Sequence, residues 1–154
     1  MLNAKPKSYR YTLETRRWGL LEIDPDAVIH FPRGIPGFED CQHFSVFNSE
    51  EIQPFQWLIC VDNPELGFVI INPHLFRPEY APELLDGDTL DLQIDPGDQL
   101  AVYAIVTIED DPRESTANLQ GPLVMNLSKR LGKQVVVVDE AYSVKEKILS
   151  AKSD

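Results

Sequence analysis

Cysteine, histidine and long apolar runs are all scarce in this chain of 154 residues, and each shortage removes a class of function. Two cysteines, Cys41 and Cys60, are too few for a disulfide scaffold, and neither belongs to a C-x-x-C pair, so both read as reduced thiols. The three histidines, His30, His43 and His74, are scattered. Cys41-x-His43 offers two ligands, but no second pair stands at zinc-finger spacing, so no metal is expected. No apolar stretch approaches the roughly 20 residues of a membrane helix. The basic N-terminal residues lead into no apolar run either, so no secretory signal is read and a cytoplasmic location is expected.

Catalytic patterns are missing too. The chain has no G-x-S-x-G elbow and neither of the glycine-rich phosphate loops, G-x-x-x-x-G-K-[ST] or G-x-G-x-x-G. The acid-rich run DGDTLDLQIDPGD fails as a calcium loop, because Leu90 and Asp91 fall where an acid and a glycine are required. With no constellation of titratable side chains to support a reaction, and no cofactor motif, the reading is non-enzymatic.

Positive charge is the remaining shortage, and its position matters. The formal net charge is −11, yet residues 1–33 and 129–154 each carry a small positive excess. Between residues 34 and 128 only Arg77 and Arg113 stand against seventeen acids. Such a segment has little with which to neutralise phosphates, so direct nucleic-acid binding is excluded. A basic protein partner fits that field.

What is present is a series of short apolar or alternating runs cut by Pro, Gly, Asn and Asp. Strands are expected at 10–15, 19–23, 27–31, 44–48, 56–61, 67–72, 90–94, 99–108, 122–127 and 134–138. Leu90, Leu92 and Ile94 alternate with Asp91, Gln93 and Asp95, as in a half-buried strand, whereas QLAVYAIVTI and QVVVV are apolar on both faces and read as central. Turn residues recur at 24–26, 36–37, 62–67, 86–88, 95–98 and 110–112. The expectation is an all-β, compact antiparallel, barrel-like single domain over 1–154 with one or two short helical turns. The helical candidates are 78–87, with Gly87 as C-cap, and 126–133, ending at Gly132. The tail from about 143 reads as a helix or a frayed end.

FPRGIPGFED (31–40) draws notice within that pattern. Pro36 presets φ and Gly37 accepts a positive φ, so Ile35-Pro36-Gly37-Phe38 suits a type II turn with two large apolar flanks. Phe31 is expected to end its strand inward. Phe38 either caps the open end of the barrel or joins Glu39 and Asp40 in a protein-contact patch. Asn118 and Asn126, each beside a turn or strand end, read as structural.

Four stretches, in order, resemble the FliW family of bacterial flagellar assembly factors. They are TRRWGLLEID, FPRGIPGFED, PFQWLICVDNPELGFVIINPHLFRPEY (54–80) and TANLQGPLVMNLSKRLGKQVVV (116–137). Trp18 stands where that family more often has Phe, and Gly121 where it usually has Ala. Ile59 and Cys60 stand where more polar residues are usual. The resemblance implies a barrel-like fold and a non-catalytic role: binding CsrA, a basic RNA-binding translational repressor, and relieving its repression of flagellin synthesis, with flagellin as competing partner. Ile35, Phe38, Glu39 and Asp40 are the partner-surface candidates, with Asp110 and Asp111 as steering charges. Two alternatives stand beside it: a small acidic β-barrel enzyme, and a barrel binding a metal or small ligand through Cys41, His43 and nearby acids.

Overall fold

The structure, a computed structural model, describes residues 11–148; residue 10 of the first expected strand and the tail beyond 148 lie outside the described residues. A hairpin of β1 (Tyr11–Thr15) and β2 (Gly19–Ile23) stands apart from the main sheet. The main sheet begins with β3 (Ile29–His30), β4 (His43–Phe47), β5 (Gln56–Cys60) and β6 (Gly67–Ile71). It continues through β7 (Leu100–Thr107), β8 (Thr116–Ala117), β9 (Leu123–Asn126), β10 (Leu131–Gln134) and β11 (Glu146–Lys147). Strands β7-β6-β5-β4-β3-β10-β9 form a ring, closed where β7 meets β9. Every neighbouring pair is antiparallel except β3 and β10, which run parallel with the single register pair Leu131–His30. This is the barrel that the runs of apolar residues between turn signals imply.

β7 makes the closure possible because its two halves have different partners. Leu100–Tyr103 pair with β9, whereas Ala104–Val106 pair with β6. Val106, which also pairs with Val69 of β6, and Thr107 pair with β8, which extends the sheet outside the ring toward β11.

Alternation along each strand sends one set of side chains inward. Phe44, Leu58, Cys60, Ile70, Leu123 and Met125 meet there, and Phe31 and Ile35 from the segment after β3 join them. Each fully buried side chain of this size contributes about 1.5–3 kcal/mol through removal from water. The outward set is covered in turn. Ile71, Phe76, Tyr80, Ala104, Val106, Ala117, Leu119 and Ile148 form a second apolar layer. Leu92, Val124, Val135 and Val137 form a third.

Several local expectations give way to the structure. Residues 90–94 are not a strand: α1 (Asp86–Asp91) occupies this place, and Leu90 is 75% exposed while Leu92 is fully buried. A five-residue alternation fits a short helix as well as a strand, so the pattern alone could not separate them. Nor does a helix occupy 78–85. Proline at 78 and 82 holds its predecessors extended, and the helix starts only where Asp88 accepts the Leu85 N–H (3.0 Å). Gly87 therefore lies inside α1 rather than capping it.

Residues 126–133 are the β9–β10 hairpin, with Arg130 at φ 57°, and Gly132 is a strand residue. The stretch 135–138 is not central. Val135 and Val137 are buried, but Val136 is 72% and Val138 86% exposed. Of the tail, residues 143–148 form turns and β11, and Ile148 packs into the second layer.

The cysteines are the clearest correction. Cys41 and Cys60 form a disulfide, with Cα atoms 6.2 Å apart, joining the end of the 31–41 loop to the end of β5. Their separation of 19 residues hid the proximity that the β4–β5 hairpin produces, since Phe44 pairs directly with Cys60.

Candidate partner-binding surface

The loop at 31–41 folds as its residues dictate. Phe38 N–H donates to the Ile35 carbonyl (2.7 Å), and Gly37 has φ 90°, as a type II turn requires. Gly34, at φ 63°, is also obligatory: a Cβ there would lie 2.7 Å from the Glu39 Cα. The two apolar flanks separate in role. Ile35 is buried at 2% and belongs to the interior cluster, so it is withdrawn from any contact surface. Phe38 is 43% exposed, with its ring set edge-on against Phe68 at 5.2 Å between centroids. Glu39 turns back to accept the Gly37 N–H (3.1 Å), and Asp40 is exposed.

Phe38, Glu39 and Asp40 border a hollow of about 420 Å³ that Cys41, Asp62, Asn63 and Leu66 complete. Burial acts against the Asp62 carboxylate. The Gln42 N–H and the His43 ring and N–H outweigh it and hold this carboxyl below its ordinary range.

The structure does not bring Asp110 and Asp111 to that loop. Asp111 accepts the Arg113 N–H (3.1 Å) at the start of a 3-10 turn (Pro112–Glu114) and pairs with the Arg113 guanidinium, an ordinary capping role. The Arg113 side chain is the first cause holding the Asp111 carboxyl low. Asp110 is exposed and follows Ile108 and Glu109 beside a different feature.

That feature is a groove of about 540 Å³ across β5, β6 and β7. Ile52, Phe55, Trp57, Val69, Val106 and Ile108 supply its apolar lining, with Arg17 at one margin. The β1–β2 hairpin stiffens this margin. Trp18 packs edge-on against Trp57 (4.9 Å) and Phe47 (5.9 Å), and the Arg17 guanidinium lies over both indoles at 5.4 and 5.0 Å. Phe68 lines the groove and also packs against Phe38, so one ring contact links the groove to the wall of the other hollow.

Sequence reasoning missed this groove because its walls come from segments spread between residues 17 and 108. The one local signal was Ile108, an apolar residue running past the end of β7 into three acids.

Electrostatics near α1 explain the other acids. Lys133 bridges Asp88 and Asp91 (both 2.7 Å), Arg33 reaches Asp91 (3.0 Å), and Lys129 bridges Asp95 (2.8 Å) and Asp98 (2.7 Å). The acidic run 86–98 is thus largely neutralised from outside its own segment. Asn126 is fully buried beneath it: its amide donates to the Leu92 carbonyl (3.0 Å) and to Asp98 (2.9 Å), and its oxygen accepts the Ser128 and Lys129 N–H groups. Asn118 accepts the Gln120 N–H (3.0 Å), so both asparagines are structural. Gly121 is tightly enclosed, since a Cβ there would meet the amides of Gln134 and Asn118 at 2.9 and 3.0 Å. Ile59 and Cys60 are both fully buried.

Known proteins resemble the chain over nearly its whole length. A family model described as FliW protein matches residues 12–148. The flagellar assembly factor FliW of Thermoanaerobacter pseudethanolicus is 38% identical over 138 residues, covering 89% of this chain and 92% of its own. Those of Alkaliphilus metalliredigens and Moorella thermoacetica are 41% and 42% identical, covering 89% and 87% of this chain and 85% of each relative. A crystal structure of the flagellar assembly factor FliW superposes with a TM-score of 0.82 at 37% identity, covering 90% of this chain and 96% of that one. By sequence and by fold, this chain belongs to the FliW family.

Proposed function

We propose that the protein is a non-catalytic flagellar assembly factor of the cytoplasm. It binds the translational regulator CsrA and so relieves repression of flagellin synthesis, and flagellin competes for it. Binding of the two partners is then thermodynamically coupled, and a rise in free flagellin returns CsrA to its messenger RNA.

The observation that carries this reading is the state of the two arginines in the acidic segment. Arg77 is engaged by Glu79 (2.6 Å) and Glu146 (2.7 Å), and Arg113 by Asp111 (3.1 Å). Outside the run 86–98, whose acids Lys129, Lys133 and Arg33 engage, the field this segment presents is dominated by its acids and suited to steering a basic regulator. A titration calorimeter tests the reading: the protein is titrated with CsrA from the same organism, then again after saturation with flagellin. Heat of binding that flagellin abolishes supports it. Absence of heat with either folded partner overturns it.

A further inference from the structure

The groove over β5, β6 and β7 has a charge pattern as well as an apolar lining. Ile52, on one side, closes a 3-10 turn whose other residues are Glu50 and Glu51. Ile108, 49% exposed, is followed directly by Glu109 and Asp110. All four acids are exposed, and among the described residues no cation pairs with any of them. Apolar side chains held open between two acidic flanks are costly to leave in water and well placed to be covered.

We infer that this groove is a docking site for one segment of a protein partner, apolar at its centre and carrying lysine or arginine on either side. The inference rests on the partner-binding reading above and adds to it the surface and the chemistry of the occupant. The barrel is closed beneath the groove, so its floor offers no unpaired strand edge, and recognition falls to side chains. Trp57, braced by Trp18, is a rigid aromatic wall of the kind that concentrates binding energy. Arg17 closes one margin and is placed to donate to a main-chain carbonyl of the bound segment. The flanking acids then select lysine and arginine beside the apolar centre and exclude acidic neighbours.

The test uses the full chain and both partners named above, with calorimetry for affinity and melting curves to verify folding. Ile108→Asp places a charge in the groove at an exposed position, and the double variant E109K/D110K reverses one flank. Each is expected to weaken binding about tenfold or more, and the double variant is also expected to flatten the salt dependence. V138D, at an apolar residue still more open to water (86% exposed) and away from the groove, should leave affinity unchanged. Both tryptophans of the chain lie at the groove margin, so partner binding should also shift its indole emission.

If the natural chain binds a partner and the groove variants retain full affinity, the groove is overturned while the partner reading stands. If the natural chain binds neither partner, the reading fails and the groove falls with it. If the chain instead self-associates and I108D abolishes that, a second copy is the occupant and the inference is overturned.

Discussion

Gly132 lies flat against the ring of Phe31: a Cβ built on the glycine would fall 2.4 Å from Cε1 and 2.5 Å from Cζ. Phe31 follows β3 and Gly132 sits in β10, so the contact spans the parallel join of the barrel. Neither residue can change without moving the other, because Phe31 is fully buried in the interior cluster.

Gly132→Ala is therefore expected to cost about 1–3 kcal/mol, the usual penalty of overpacking a filled site. Urea denaturation measures it. A loss below half a kcal/mol would mean that the join relaxes at little cost.

Ile35 and Phe38 should respond differently although they flank one turn. Ile35→Ala removes a side chain 2% exposed and should cost about 2–5 kcal/mol. Phe38→Ala removes a half-exposed ring resting on Phe68 and should cost only about 1–2 kcal/mol, in proportion to the area it buries. Thermal melts beside partner-binding curves separate a fold effect from a contact effect at Phe38.

Reducing the disulfide should lower stability by about 3 kcal/mol, the scale for opening a loop of this length. The denaturant midpoint with and without dithiothreitol reads it directly. A Cys41→Ser/Cys60→Ser variant should lose the response to reductant entirely. Stability indifferent to reductant in the natural chain would show that the covalent link adds nothing to the packing around it.

Acid should act partly through Asp98. Its salt bridge with Lys129, the Asp95 N–H and the Asn126 amide push its carboxyl from 3.8 down to about 2. The folded value lies below the unfolded one, so the stabilisation is present above the unfolded value and is lost as pH falls toward about 2. Asp98→Asn should flatten the decline of melting temperature in that window, as a pH series of melts would reveal. An unchanged slope would place the acid sensitivity elsewhere.

The barrel was legible in the sequence because its strands are written locally, in runs such as QLAVYAIVTI and GFVIIN that the structure keeps as β7 and β6. The IPGF turn was legible for the same reason, since two residues set its dihedrals. Burial was not. Ile35 and Phe38 have the same apolar character, and only the approach of Phe68 and the interior cluster decides which of them water reaches. QVVVV looked central because four valines in a row carry no phase, whereas the structure buries Val135 and Val137 and leaves the other two outside. The groove, the disulfide and the Lys129 and Lys133 bridges each join residues far apart in the chain, and no window of sequence contains them.

The parallel join of β3 to β10 is the thinnest in the ring, one register pair reinforced by the His30 N–H donating to the Arg130 carbonyl (2.9 Å). Every other pair of adjacent staves is laced by two to four register pairs. A cylinder with one weak stave joint opens there before it opens anywhere else. The protein's first excursion from its native state is then the barrel unrolling into a curved sheet, with β3 and β10 as new borders and Phe31 briefly wet. Hydrogen exchange would record it as early loss of protection at His30, while the amides shared by β5 and β6 stay dark.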